Sequence, residues 1–139
     1  MAVVSEEQLV VFQLSDQKYA LPIQETQEII RMTDVTRIPN ANYYLEGIIN
    51  LRGTILPVIN LNRRLGLMEK EADDETRIVV VENNSQKVGM IVDSVLEVGR
   101  FNESEIEPAS MMGSDAEYLR GVVKKEDQLW LLLDLNNVL

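Results

Sequence analysis

The stretch that decides the fold is Tyr44-Leu-Glu-Gly-Ile-Ile-Asn-Leu-Arg-Gly-Thr-Ile-Leu-Pro-Val-Ile-Asn-Leu61. It contains two β-rich runs, residues 47–51 and 54–59, on either side of the dipeptide Arg52-Gly53. Short apolar runs around a tight turn are typical of a β-hairpin, and Gly53 supplies the positive φ that such turns require. The stretch therefore predicts a hairpin with Arg52 at its tip.

The second half of the chain repeats this stretch. Residues 44–49 match residues 118–123, so that Tyr44 aligns with Tyr118 and Gly47 with Gly121. An upstream block repeats as well, because residues 10–18 match residues 79–87, and the same alignment places Glu28 on Glu97. Two blocks that recur in the same order predict two similar β subdomains.

Polar turns divide the remaining β-rich runs into further strands. We predict hairpins from residues 9–23 and 77–92, and we expect residues 24–30 to form one or two helical turns that end near Glu28. The most polar stretch, residues 69–75, is the best candidate for a linker. We expect one domain, residues 1–139, with subdomains at about 8–68 and 76–139 that could exchange a strand, packed around a shared hydrophobic core.

Composition and charge exclude several functions. The chain has 139 residues, 45% of them hydrophobic, and a net charge of −10, which repels a polyanion and disfavours nucleic acid as a partner. Cysteine and histidine are both absent, so the sequence offers no thiol nucleophile, no imidazole base and none of the usual zinc ligands. We expect no cofactor, no metal and no catalytic residue. No run approaches the ~20 apolar residues of a membrane span, so we expect a cytoplasmic protein without direct membrane insertion.

Carboxylates are the remaining candidates for chemistry. Residues 73–75 and the alternating Glu103, Glu105 and Glu107 could in principle form an acid/base pair, so a carboxylate-dependent hydrolase stays open as an alternative. Neither cluster has the spacing of a calcium loop, and runs of charge usually form solvated surface.

A binding function is the better interpretation of this sequence. Within it, the guanidinium of Arg52 and the carboxylate of Glu28 could pair to present a recognition surface, although a turn arginine can also be merely solvated.

The stretch of residues 44–61 resembles the signature of the CheW-like family of bacterial chemotaxis coupling proteins. Residues 26–29 and 35–39 fit the segment before it, and the similarity continues through residues 88–95 and 118–121 to Leu139. The resemblance implies a mainly all-β fold of two SH3-like five-stranded barrels with a few short helices. It also implies a scaffold that joins the cytoplasmic tips of chemoreceptors to the regulatory domain of the histidine kinase CheA, and that is recruited to membrane receptor arrays.

The resemblance also assigns roles to individual residues. The family's glutamate and arginine pair falls on Glu28 and Arg52, and its receptor-linked glycine falls on Gly47. The groove between the barrels suggests three further receptor contacts, Gly89, Val95 and Val98. The kinase surface is expected on the first barrel, with Ile30 and Met32 as candidates. A fragment of a CheV-like protein stays open as a second alternative.

Overall fold

The computed structural model describes residues 6–109 and 117–139, and most of these residues lie in short β-strands. The strands are β1 Glu7–Leu14, β2 Gln17–Pro22, β3 Thr26–Arg31, β4 Leu45–Leu51, β5 Thr54–Asn60, β6 Arg77–Asn83, β7 Gln86–Val92, β8 Ser94–Phe101, β9 Ile106–Pro108, β10 Leu119–Lys125 and β11 Gln128–Leu133. Two short helices follow β5 and β11, namely α1 Leu61–Arg64 and α2 Leu135–Val138, and single 3-10 turns span Ile23–Glu25 and Glu103–Glu105. None of the helices in these two ranges is long and apolar enough to cross a membrane.

The hairpin predicted from the central stretch is β4–β5. Its register pairs Leu51 with Thr54 across the two-residue turn Arg52-Gly53. Both turn residues have positive φ, 50° at Arg52 and 88° at Gly53, which is the conformation that matches the twist of a two-residue hairpin. The side chain of Asn50 closes the turn by accepting a hydrogen bond from the Gly53 amide at 2.8 Å. The hairpin is confirmed, and Arg52 shares the left-handed conformation that the sequence assigned to Gly53 alone.

The strands form two sheets. A six-stranded sheet has the order β8-β1-β2-β11-β10-β9, and a five-stranded sheet has the order β3-β6-β7-β5-β4. The mainly all-β fold with two sheets and few short helices is confirmed. One sheet has six strands rather than the expected five because β9 adds three residues to the edge of β10.

Each sheet combines strands from both repeats. The hairpin β1–β2 pairs with β8 and β11, whereas its repeat counterpart β6–β7 pairs with β3 and β5. The two repeats have thus exchanged their first hairpins, and each exchange is closed by a parallel strand pair, β2 with β11 and β7 with β5. The bounds 8–68 and 76–139 describe the two repeats of the sequence. As bounds of structural subdomains they stay a prediction.

Strand alternation sorts the apolar residues into three clusters. Along β6, Val79 and Val81 pack in the cluster between the sheets. Ile78 and Val80 point to the other face and pack in a separate cluster of the five-stranded sheet. A two-residue period produces this division because successive side chains point to opposite faces. The cluster between the sheets contains Phe12, Leu14, Tyr19, Leu21, Ile59, Leu61, Val79, Val81, Met90, Val92, Leu133, Leu135 and Val138.

The helical turns expected over residues 24–30 are largely wrong. Only Ile23–Glu25 is helical, as a single 3-10 turn, and β3 begins at Thr26. Glu28 therefore lies on a strand, where it pairs with Val80 of β6. The sequence offers the reason in retrospect, since Ile29 and Ile30 are β-branched residues that favour a pleated, half-buried surface.

Arg64, the last residue of α1, connects the two repeats. Its guanidinium lies 4.8 Å from the ring centres of both Tyr44 and Tyr118, which are equivalent residues of the two repeats. Its Nε donates to the carbonyl of Val138 at 2.7 Å, and its Nη1 donates to the hydroxyl of Tyr118 at 2.9 Å. Arg64 thus binds the end of α2 to the end of α1 through stacking and charge-assisted hydrogen bonds.

We predict that Arg64→Ala lowers the free energy of unfolding by about 2–3 kcal/mol, because it removes both ring contacts and leaves carbonyls of α2 without their donor. Arg64→Lys should recover less than half of this loss, since an ammonium cannot stack on two rings and reach the carbonyls together. Chemical denaturation measures both. A loss below about 0.5 kcal/mol for Arg64→Ala would show that the contacts at Arg64 are incidental.

Candidate functional site

The candidate site joins the turn of the β4–β5 hairpin to strand β3. Arg52 donates a hydrogen bond from Nη2 to Oε1 of Glu28, and the two side chains form an ion pair. The hydrogen bond to Glu28 and its charge raise the pKa of Arg52 above its ordinary value. The side chain of Arg52 is 70% exposed and that of Glu28 is 32% exposed, so the pair lies at the surface. Glu28 and Arg52, predicted from the sequence to pair, are in contact.

The contribution of this ion pair to folding stability is too small to explain why both charges are present. An exposed ion pair contributes about 0–1 kcal/mol to folding, because water screens the charges and two long side chains must be held still. The residue at the tip also adopts a φ of 50°, which asparagine and glycine tolerate far better than arginine. Neither folding stability nor the backbone conformation therefore accounts for an arginine at this position.

The second repeat does not carry the pair. The repeat places Glu97 at the position of Glu28 and Glu126 at the position of Arg52. Glu126 has a φ of 52°, so the backbone of the tip is preserved while its charge is reversed. Two carboxylates cannot form an ion pair, and the Glu28–Arg52 arrangement belongs to the five-stranded sheet alone.

The two candidate glycines, Gly47 and Gly89, are buried. A β-carbon on Gly47, whose φ is 151°, would lie 2.1 Å from the carbonyl oxygen of Thr36, and one on Gly89 would lie 2.8 Å from Cγ2 of Ile78. Thr36 forms two backbone hydrogen bonds with Ile48 at this point, both 2.9 Å long. Both glycines therefore permit the close approach of a neighbouring part of the chain.

The other four candidates divide between surface and interior. Val98 is 52% exposed on β8, whereas Val95 is partly buried against the cluster between the sheets. Ile30 and Met32 are partly buried against the interior of the five-stranded sheet. The side chains of both kinase candidates, Ile30 and Met32, thus pack against the core rather than lying fully at the surface.

Sequence reasoning missed Ile29, the outward-facing apolar residue of the same strand. Its side chain is 38% exposed next to Glu28, on a strand that ends the five-stranded sheet. Alternation along residues 26–31 could have found it, because Glu28 and Ile30 share one face and Ile29 takes the other. The repeat aligns Ile29 with Val98, so the two edge strands expose an apolar side chain at equivalent positions.

One carboxylate in each of the two clusters, Asp73 and Glu105, has a lowered pKa. Lys70 pairs with Asp73 at 2.8 Å, and Lys125 pairs with Glu105 at 3.0 Å. The hydrogen bond from the lysine is in each case the main reason that the pKa of Asp73 or Glu105 lies below its ordinary value. A general acid must carry a proton near neutral pH, which needs a raised pKa. The lowered pKa of Asp73 and of Glu105 instead favours the ionised carboxylate.

Glu25 is a partly buried carboxylate between the sheets. Burial raises its pKa, the charges of Asp134 and Glu7 raise it further, and the charge of Arg120 opposes the rise. A raised pKa means that the folded protein binds the proton more tightly than the unfolded chain does. The free energy of unfolding therefore falls as the pH rises through the range between the ordinary pKa of glutamate and the raised one, and stays lower above it.

We predict that Glu25→Gln raises the free energy of unfolding at neutral pH, because it removes a partly desolvated charge. The difference from the wild-type protein should vanish below the ordinary pKa of glutamate, where both side chains are neutral. Denaturation curves recorded across this pH range measure the effect. A variant that is less stable than wild type at neutral pH would contradict the account of Glu25.

Fold and site together are those of a protein-interaction module, with paired β units, exposed strand edges and a charged pair at a hairpin tip. The CheW-like domain family matches residues 8–139. The chain belongs to this family.

Matches to known relatives cover nearly the whole chain. A chemotaxis protein CheW of Bacillus subtilis is 37% identical over 135 residues, covering 96% of this chain and 86% of the relative. A solved structure, the scaffolding protein TtCheW of Thermoanaerobacter tengcongensis, is 36% identical, with a TM-score of 0.88 over 94% of this chain and 90% of that one. The chemotaxis protein CheV3 of Helicobacter pylori is 31% identical over 126 residues, which are 40% of its length.

Proposed function

We propose that this protein is a chemotaxis adaptor that couples chemoreceptor cytoplasmic tips to the regulatory domain of the histidine kinase CheA. The observation that carries the proposal is the exposed Glu28–Arg52 pair on the edge of the five-stranded sheet, in a chain that belongs to the CheW-like family. The chemotaxis protein CheW of Bacillus subtilis matches 96% of this chain, and the match spans 86% of that relative, which supports the proposal.

The adaptor acts by proximity. Holding a receptor tip and a kinase on one small protein converts their encounter into an intramolecular event with a high effective concentration. Such a role needs binding surfaces and no reactive group, so we propose that the protein is not an enzyme and needs neither cofactor nor metal. It works in the cytoplasm, at membrane receptor arrays, without inserting into the bilayer and without nucleic acid.

The proposed contact residues follow from their exposure. Arg52, Glu28 and Val98 offer exposed side chains to the receptor, and the partly buried Val95 lies on the same strand as Val98. Gly47 and Gly89 act through the shape of the backbone. For the kinase we propose the outer side of β3, where Ile29 is exposed and Ile30 and Met32 support it from within.

A capture experiment tests the proposal. The immobilised protein should retain a CheA regulatory domain and a receptor tip fragment, each alone and both together. Ile29→Asp places a charge in the proposed kinase contact and should weaken retention of the kinase domain by at least about tenfold. Leu129→Asp is the control, because it changes an apolar residue on the six-stranded sheet that is 56% exposed, against 38% for Ile29. Failure to retain either partner would refute the adaptor function.

A further inference from the structure

Two arginines lie directly opposite each other at one end of the five-stranded sheet. Arg31, the last residue of β3, pairs with Arg77, the first residue of β6. Opposite residues of an antiparallel pair point to the same face of the sheet, with their β-carbons about 5 Å apart. Because two like charges at this distance repel each other, the arrangement lowers the stability of the fold rather than adding to it.

The protein itself does not neutralise these two charges. Within the part of the chain that the structure describes, no carboxylate forms an ion pair with Arg31 or Arg77, although the sequence has 23 acidic residues. By contrast, Arg52, Arg63 and Arg100 each have a carboxylate partner. The arginine pair is thus an uncompensated cationic spot on a protein whose net charge is −10.

The equivalent position of the six-stranded sheet carries only one arginine. The repeat aligns Arg31 with Arg100 and Arg77 with Gln8, and Arg100 of β8 indeed lies opposite Gln8 of β1. Arg100 also has Glu6 as a charge partner, at 3.9 Å. The fold thus accommodates an arginine opposite a glutamine at this point of a sheet, and it does not call for the second arginine of the five-stranded sheet.

One arginine of the pair lines a cavity of about 270 Å³. The residues that line it are Glu75, Arg77, Ser94, Val95 and Leu96. Nη1 of Arg77 donates to the backbone carbonyls of Asp74 and Thr76, at 2.8 and 2.9 Å, and these bonds hold the guanidinium in place. Val95 and Leu96 supply an apolar wall, and Leu96 is 40% exposed. The cavity therefore presents a positioned cation beside apolar side chains.

We propose that Arg31 and Arg77 together bind a carboxylate of the receptor tip, while an apolar side chain beside that carboxylate packs against Val95 and Leu96. One anion between the two guanidinium groups attracts both, and each can donate charge-assisted hydrogen bonds to it. The repulsion within the pair is thereby offset only when a partner is bound, which makes the contact selective for an acidic segment. Because Val95 is a proposed receptor contact, this inference rests on the proposed function and adds the chemistry that the receptor must present.

Calorimetric titration of the full chain with a receptor tip fragment tests the proposal. Arg31→Gln and Arg77→Gln should each weaken binding by at least about fivefold, because each removes charge-assisted hydrogen bonds to the carboxylate. Lys124→Gln removes an exposed positive charge of β10, at the other side of the six-stranded sheet from β8, and should leave the affinity unchanged. Chemical denaturation of Arg31→Gln should show a midpoint at or above that of wild type, since the repulsion from Arg77 is gone. A merely structural role for Arg31 would lower this midpoint.

Three results would overturn the inference while leaving the adaptor function in place. The first is wild-type affinity for the receptor tip in both Arg31→Gln and Arg77→Gln. The second is an equal loss of affinity in Lys124→Gln, which would mean that overall charge and not the arginine pair attracts the receptor. The third is a loss of the CheA regulatory domain instead of the receptor tip, which would assign the pair to the kinase contact. Failure of the wild-type protein to bind either partner would refute the adaptor function itself.

Discussion

Replacing Arg52 by asparagine is expected to reduce receptor-dependent activation of the kinase by at least about tenfold, the effect typical of an arginine at the centre of an interface. The same change should leave the free energy of unfolding within about 1 kcal/mol of the wild-type value, because the lost ion pair is exposed and asparagine suits the left-handed conformation of the tip. Kinase assays with receptor and thermal denaturation of the same variant measure the two effects.

Two variants serve as controls for Arg52→Asn. Arg52→Lys should recover part of the activation, since a lysine keeps the charge and lacks the planar fork that pairs with Glu28. Lys124→Asn changes an exposed lysine of β10, which three strands of the six-stranded sheet separate from β8, and should leave activation unchanged. If Arg52→Asn kept full activation, or if it unfolded the protein, the pair would be incidental or structural.

Replacing Gly47 by alanine is expected to lower the free energy of unfolding by about 3 kcal/mol or more. The new β-carbon would lie 2.1 Å from the carbonyl oxygen of Thr36, so the two hydrogen bonds between Thr36 and Ile48 must break or the strand must move. The φ of 151° adds strain for any residue with a side chain. Chemical denaturation measures the loss, which would reduce coupling through a smaller folded population.

Gly66 provides the matched control for Gly47. It also has a positive φ, 74°, but a β-carbon there would meet nothing within 4 Å. Gly66→Ala should therefore cost only about 1 kcal/mol, the cost of the backbone conformation alone. A Gly47→Ala variant with wild-type stability and no receptor coupling would show instead that Gly47 touches the receptor directly.

The hairpins and the repeat could be predicted from the sequence because their determinants are local. Arg52-Gly53 fixes a two-residue turn, and the match between Tyr44 and Tyr118 marks equivalent strands. The contact of Glu28 with Arg52 followed from residue types and from the resemblance to the family. The positive φ of Arg52 did not follow, since a turn with glycine in second place leaves its first residue undetermined.

The exchange of hairpins between the repeats could not be predicted in the same way. Whether β1 pairs with β3 or with β8 depends on contacts between distant parts of the chain, and both strands offer similar alternating patterns. The same limit applies to burial. Gly47 carries no local sign that it is buried, because its burial depends on the distant segment around Thr36 that lies against it.

The central claim is that this protein couples a receptor to a kinase without chemistry of its own. The most direct test reconstitutes CheA autophosphorylation with and without receptor tips, in the presence and absence of the protein. We predict that activity rises by at least about tenfold only when receptor, kinase and protein are all present, and that Arg52→Asn removes this rise. Activation of the kinase by the protein alone, or ATP hydrolysis by the isolated protein, would contradict the claim.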